Sequence, residues 1–376
     1  MAARRSHRIL RILAWTLLSL ALTIYLPSLL LYSIHPGHWW VMGILSIGFP
    51  YTWLGMTAVV VLAFWLHRKA GWILLLGWAA GWPIMRNVWA LNSTQDFPTA
   101  SSQQSLRVMQ WNCMELSGSL QNDSTRQVRQ QVAALLRKHQ PQVLLLQDFQ
   151  EITSPRHYSN IAFLRDTLGY RYMLLAPYYT VEAGWGKVQE GSAIFSKIPI
   201  DTAGHIMYEG RPVSEQIAWA DIRFRGKTLR CVSTHLLSMN LNTPKGQPDP
   251  LYYYQRPDSA VITSGDVLRK LRHYQPYHVR QAKQLRHFLD TSAHPLVLGI
   301  DMNSVPSSWV YRHISRGLQD VFLATGRGWG RSYHSRLPNL RIDYLFTGPA
   351  LATPHAITIP VSFSDHYPVL ADLQWR

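Results

Sequence analysis

Cysteine and acid are both scarce in this chain of 376 residues: there are two Cys, and 21 Asp and Glu stand against 37 Lys and Arg. Cys113 and Cys231 sit inside apolar runs, as small buried hydrophobes do, and one possible pair builds no disulfide framework. The acid shortage is uneven. Residues 1 to 100 hold 7 bases and a single acid, Asp96, which leaves 30 bases and 20 acids for the rest. The later part is thus basic as well, which suits a phosphate-bearing partner or an anionic surface and equally suits plain solubility. It contains no internal repeat.

The acid-poor stretch is instead rich in Leu, Ile, Val and Trp. Met1 to Arg11 is Arg-rich, and three apolar segments follow: Ile12 to Ile34, interrupted only by Pro27, then Val41 to Leu66, then Trp72 to Leu91. About 20 apolar residues suffice to span a bilayer. A secretory signal would have a shorter apolar core and a cleavage site, not two further segments. Residues 1–91 therefore read as a transmembrane region of about three helices, the alternative being a buried helical hairpin. Arg4, Arg5, Arg8 and Arg11 precede the first segment, and Arg68 and Lys69 separate the second from the third. This asymmetry predicts a cytoplasmic N-terminus and a chain that leaves the third span on the far side. Trp39, Trp40, Trp72, Trp82 and Trp89 fit as interfacial anchors.

Residues 92–105 are polar and read as a linker. From 106 to 376 the pattern is that of a layered α/β domain: a strand at Leu106 to Asn112, an amphipathic helix at Thr125 to His139, and a strand at Val143 to Leu146. Further strands are expected at Tyr172 to Leu175, Ser192 to Phe195, Ile217 to Phe224, Leu229 to Ser233 and Arg341 to Phe346, and a helix at His278 to Leu289. Leu241 to Tyr277, with Tyr252, Tyr253, Tyr254 and Arg256, is too long for an idle loop, and its rings can stack on bases, lie against lipid headgroups or pack on the domain.

The run Pro295 to Asp301 reads as a buried strand that delivers Asp301, and two residues later Asn303, to a sheet edge. An Asp-x-Asn strand end is also an ordinary turn, in which these side chains bond their own backbone. What favours function is recurrence. Asn112, Asp148, His235, Asp301, Asn303, Asp343, Asp365 and His366 all fall at such edges. Four carboxylates, two amides and two imidazoles, with no Ser or Cys nucleophile among them, favour a hard divalent cation and hydrolysis of a phosphate ester.

In order, Trp111-Asn112, Leu146-Gln147-Asp148, Thr234-His235-Leu236, Asp301-Met302-Asn303, Arg341-Ile342-Asp343-Tyr344 and Ser364-Asp365-His366-Tyr367-Pro368 resemble the motifs of the endonuclease/exonuclease/phosphatase superfamily. The chain looks most like bacterial members with hydrophobic N-terminal helices. The resemblance implies a four-layer α/β sandwich, two central β-sheets flanked by helices, preceded here by the transmembrane region. It implies Mg²⁺ or Mn²⁺ held by Asp148 and Asp365, with Asp301 orienting or deprotonating water. Asn112 and Asn303 would bind phosphate oxygens, and His235 and His366, the latter held by Asp343, would stabilise the transition state or protonate the leaving oxygen. Glu190 stands where some nucleases of the family carry the acid that orients the first His. The family usually has Glu where this chain has Asp148, so the metal must shift, a water must intervene, or Glu151 must serve instead.

The expectation is thus a multi-pass protein of a bacterial inner membrane with a phosphoesterase domain on the periplasmic side, acting on a lipid headgroup phosphodiester or nucleic acid, with no obligate protein partner. The alternative is a catalytically silent, membrane-anchored binding or scaffold protein that retains the fold. A transporter is disfavoured because the apolar segments carry no acid.

Overall fold

A computed structural model of the chain describes residues 15–16, 19–93, 96–99, 101–117, 120–210, 215–238, 264–334 and 340–376. Its N-terminal region contains α1 (Ser19–Ser28), α2 (Val41–Leu66), α3 (Arg68–Ala80) and α4 (Trp82–Val88), followed by the short strand β1 (Ala90–Leu91). Among the described residues only α2 is long and apolar enough to cross a membrane. This overturns the three-helix transmembrane region, and with it the multi-pass inner-membrane topology and periplasmic placement that the count of three implied.

The reasons are local. The helix through the first apolar segment stops at Ser28, just past Pro27, and the chain then runs through turns to Ile34. The third segment is broken at Gly81, where Pro83 sits in the first turn of a new helix. A proline lacks the N–H that a continuing helix would need, so it starts helices better than it extends them. A Cβ at Gly81 would come 2.5 Å from Tyr25 Oη and 2.6 Å from a ring carbon of Trp53. Hydropathy registers neither the proline nor the crowding.

The rest of the chain comprises β2 (Leu106–Asn112), α5 (Asp123–His139), β3 (Val143–Thr153), α6 (Asn160–Ala162), β4 (Tyr172–Ala183), β5 (Gly186–Ser196), β6 (Ile200–Met207), β7 (Gln216–Phe224) and β8 (Lys227–His235). It continues through α7 (Ser264–Asp290), β9 (Leu296–Asp301), α8 (Trp309–Ile314), β10 (Gln319–Asp320), α9 (Val321–Thr325), β11 (Arg327–Gly328), β12 (Asp343–Thr347), β13 (Leu351–Thr358) and β14 (Val369–Trp375). The stretch read as one insert, Leu241 to Tyr277, is helical from Ser264 onward as part of α7. Tyr252, Tyr253, Tyr254 and Arg256 lie outside the described residues.

Two six-stranded mixed sheets face each other, in the orders β13-β14-β2-β3-β5-β4 and β10-β12-β9-β8-β7-β6. Each has one parallel pair, β2 with β3 and β8 with β9, and both parallel pairs need a crossover, supplied by α5 and α7. Period-two alternation sorts the side chains. Val108, Val143, Leu145, Cys231, Val297 and Leu345 fill the space between the sheets. Met109, Trp111, Leu144 and Leu146 point the other way, where they join Val132 and Leu136 of α5, while Leu298, Ile300 and Tyr344 meet Ala282 and Leu285 of α7. The result is the expected α/β sandwich of two sheets flanked by helices. Gly299 lets the sheets close up, since a Cβ there would lie 2.7 Å from Leu145 Cβ. Both cysteines are buried and free.

Residues 92–105, read as a linker, are partly tied down. Asn92 Nδ2 donates to Leu323 O and Gly326 O at 2.9 Å each, and β1 pairs with β11. Arg107, fully buried, donates to Pro98 O and Thr99 O as well as to both carboxylate oxygens of Asp372.

Candidate active site

The alternation that buries Val108 and Gln110 between the sheets puts Asn112 on the same face, at the end of β2. By the same rule His235 ends β8 and Asp301 ends β9, while Asp343 begins β12 directly opposite Asp301. Four polar side chains from both sheets therefore converge on one edge of the sandwich. Asp148 would not join them by alternation, because Leu144 and Leu146 point to the outer face. A bulge between Leu146 and Phe149, with Asp148 at φ +48°, turns its carboxylate inward; re-aiming a side chain is a common use of such bulges. Asp365 and His366 arrive on the loop between β13 and β14.

Asn112 is the link between the sheets. Its Nδ2 donates to Asp148 Oδ2 and to Asp301 Oδ2, 2.9 Å in each case, and its Oδ1 accepts from Met114 N at 3.1 Å. Asp301 Oδ1 accepts from Asn303 N at 3.0 Å, and Asn303 has φ +47°. The Asp-x-Asn segment is thus a turn as well as a site element. Strand geometry does not carry Asn303 into place; the turn does, and its Nδ2 lies 2.8 Å from His235 Nε2 while donating to Leu236 O at 3.0 Å. Asp343 Oδ2 accepts from Ser332 Oγ at 2.8 Å and lies 2.9 Å from His366 Nδ1. Gln110 Nε2 donates to Asp343 Oδ1 at 3.3 Å from within the sheet interface.

The electrostatics follow from crowding charge in a buried place. Burial, and then the neighbouring Asp343 charge, push the Asp301 carboxyl up to about 6. Burial would also raise Asp148, but the His235 ring and the Asn112 amide outweigh it and hold that carboxyl below the usual range. Burial alone would lower both histidines; carboxylates overturn it, Asp148 first for His235 and Asp343 first for His366, and each imidazole is raised to about 10. Asp301, Asp343 and His366 each offer an atom within 4.8 Å of the others, an arrangement able to hold a metal ion. Asp365 Oδ1 is buried with no hydrogen-bond partner among the described residues.

Two side chains play other parts than those expected. Glu151 is spent on structure, its Oε2 accepting from Asn160 N at 2.8 Å and Ile161 N at 2.9 Å at the start of α6, so it does not stand in for the short Asp148. Glu190 does not orient His235. The acid beside His235 Nδ1 is Asp148, at 3.3 Å, and Glu190 Oε1 accepts from Tyr178 Oη at 2.5 Å. Burial and the Asp148 charge push Glu190 up to about 8. Tyr178, Ser332 and Gln110 carry no sequence signal that would have selected them, since each sits in an ordinary polar or strand context and is recruited by tertiary proximity.

Residues 109–366 match a family model described as the Endonuclease/Exonuclease/phosphatase family. No curated protein sequence matches the chain. Among solved structures, an endonuclease/exonuclease/phosphatase from Beutenbergia cavernae DSM 12333 is similar at 20% identity and a TM-score of 0.50, covering 73% of this chain and 72% of that one. A family protein from Leptotrichia buccalis C-1013-b is similar at 14% identity and a TM-score of 0.50, covering 72% of this chain and 100% of that one. One from Bacteroides thetaiotaomicron is similar at 13% and 0.50, covering 72% and 98%. At these identities the likeness establishes the fold.

Proposed function

Because this chain belongs to the endonuclease/exonuclease/phosphatase family, we propose that it is a Mg²⁺- or Mn²⁺-dependent phosphoesterase whose substrate is a phosphate ester presented at a membrane surface. The observation that carries the chemistry is the buried group Asp301, Asp343 and His366, joined through Asn112 to Asp148. A donor set of hard carboxylate oxygens, one of them the unpartnered Asp365 Oδ1, fits a divalent cation. By the family resemblance Asp148 and Asp365 would hold it; among the described residues the atoms within 4.8 Å of one another are instead those of Asp301, Asp343 and His366, to which Asp148 is joined through Asn112. A bound cation would supply neutralisation of the charge that builds on the phosphoryl oxygens.

The residues' own work divides as follows. Asp301, raised toward neutrality, takes the proton of the attacking water. Asn112 and Asn303 would bind phosphoryl oxygens by exchanging for them one of the bonds that their amide nitrogens make here, to Asp148 and Asp301 and to Leu236 O and the His235 ring. His366, held by Asp343 at 2.9 Å, is kept protonated by its carboxylate neighbours and donates toward the leaving or non-bridging oxygens; His235 is raised likewise, and would donate once the Asn303 amide beside its Nε2 turns away.

What supports a membrane setting is α2 together with large apolar side chains left exposed around it, among them Val61, Trp65, Trp72, Ile73 and Leu76. They favour a lipid-borne ester. A cleft of about 370 Å³ along α5, where Arg126 and Arg137 stand beside Tyr158 and Phe163, supports nucleic acid as the second reading. Full-length protein in detergent, assayed with Mg²⁺ or Mn²⁺ against phospholipid vesicles, DNA, RNA and a small phosphodiester, tests both readings. Hydrolysis of vesicle lipid supports the first, salt-sensitive cleavage of nucleic acid replaces it with the second, and undiminished activity in EDTA defeats the metal assignment.

A further inference from the structure

The N-terminal helices meet the remainder of the chain through a short series of hydrogen bonds that ends on the two segments carrying Asn303 and Asp343. Tyr32 Oη donates to Pro306 O at 2.9 Å, three residues beyond Asn303. Asn87 Nδ2 donates to the same hydroxyl at 2.9 Å, so one side chain of the N-terminal region orients another. The backbone oxygen of Asn87 accepts from Arg341 Nη2 at 2.6 Å, two residues before Asp343. The other end of the Arg341 guanidinium is paired with Asp320, and the whole side chain is buried. Ser307 Oγ adds a bond to Ser46 O in α2.

Within the domain the same two segments already touch. Met302 N donates to Ile342 O at 2.8 Å, and Tyr344 Oη lies 2.8 Å from Ser304 O and 2.6 Å from Arg341 O. Those contacts tie the segments to each other. Beyond Ser304 the chain is next held at Ser308, which caps α8, so Pro306 lies in the short span between two fixed points, and its carbonyl is bonded from the N-terminal region by Tyr32. Asn303 itself sits in a left-handed turn conformation, which Asn adopts more readily than other non-glycine residues, and Asp301 Oδ1 accepts from its N–H.

We infer that Tyr32 and Asn87 are positioning residues for the active site: they bridge the Asn303 turn to the Arg341–Asp343 segment, so the N-terminal helices are part of the site's scaffold and not a detachable anchor. The inference rests on the phosphoesterase reading only for its kinetic readout. Neither side chain touches a reacting group in this arrangement. Their effect runs through the placement of Asn303 and Asp343, where displacement by about 1 Å can cost on the order of 10²-fold in rate.

The test uses the full chain in detergent with Mn²⁺ and bis(p-nitrophenyl) phosphate, a small soluble diester for which anchoring to a surface is irrelevant. Tyr32→Phe removes one hydroxyl and both of its bonds. Asn87→Asp replaces the amide donor with an acceptor and obliges the Tyr32 hydroxyl to turn away from Pro306. Each variant should lose roughly tenfold or more in kcat with KM little changed, and the backbone amides of residues 303 to 305, 307 and 308 should exchange hydrogen faster than in the parent, more than amides elsewhere in the folded protein. A purely anchoring role would leave both readouts at parent values, and that result overturns the inference. Should the parent hydrolyse no phosphodiester, the functional reading fails on its own, while the exchange measurement still decides the positioning role: faster exchange at those amides supports it and unchanged exchange overturns it. If either variant unfolds, Ser307→Ala, which deletes the bond to Ser46 O, provides the same two readouts.

Discussion

Asn112 Nδ2 lies 2.9 Å from Asp301 Oδ2, and the two residues end strands that belong to different sheets. The site therefore exists only when the sheets are packed at the right separation, and its chemistry and its stability are linked through that spacing.

Asp301→Asn should lower kcat by about 10² or more while leaving the fold intact, because a group at a sheet edge adds little to the core whereas loss of a proton acceptor is felt directly. In the parent enzyme the base must be ionised. With its carboxyl near 6, activity should fall as pH drops through that value. A pH–rate profile with no acid limb between 5 and 7 would count against Asp301 as the base.

Removal of divalent cations should abolish turnover, and Mg²⁺ or Mn²⁺ should restore it. Asp365→Asn should raise the half-activating cation concentration by about tenfold or more, because one formal charge leaves a site whose other oxygens are shared with protein donors. Calorimetric titration with Mn²⁺ measures this without reference to any substrate. Identical binding isotherms for parent and variant would remove Asp365 from the ligand set.

Glu190→Gln should change stability in a pH-dependent way. A carboxyl raised from 4.5 to about 8 binds its proton more tightly in the folded state, so its contribution is full below 4.5 and is lost as pH rises through 8. The Gln variant avoids that loss. It should match the parent near pH 4.5 and exceed it near pH 8.5 by about 1 to 2 kcal/mol, since the side chain is only half-buried and solvent screens part of the cost. Chemical denaturation at the two pH values gives the comparison, and an equal difference at both would refute the assignment.

Gly299→Ala should destabilise the domain by about 1 to 3 kcal/mol, the usual cost of an extra methyl in a packed interior. The new Cβ would sit 2.7 Å from Leu145 Cβ and 3.1 Å from Gln110 Cγ, between the sheets and one turn of the pleat below Asp301. Activity should fall more than stability requires, because the Asn112 to Asp301 distance would lengthen. Measurement of kcat on protein shown to be fully folded separates the two effects.

The elements that depend on pattern alone could be read from the residues. Short apolar, strand-like runs with polar ends marked β2, β7, β8 and β9, helical spacing marked α5 and the C-terminal half of α7, and a long apolar run marked α2 at the bounds observed. That Asn112, His235, Asp301 and Asp343 meet at one edge was legible for the same reason: each is the polar end of an apolar strand, and period two obliges it to face where its strand's inner residues face. Other features depend on what comes close in three dimensions. The bulge at Asp148 reverses the direction that alternation assigns, Glu151 is drawn off to cap a helix, and Tyr178 claims Glu190. The N-terminal segments illustrate the limit most clearly. Hydropathy measures transfer from water and is blind to the proline that restarts a helix and to the Tyr25 and Trp53 side chains crowding Gly81, so three apolar runs became one long helix and several short ones. That these helices hydrogen-bond to the Asn303 and Asp343 segments is decided by tertiary contact between residues more than 250 apart in the chain, a distance across which no local pattern carries information.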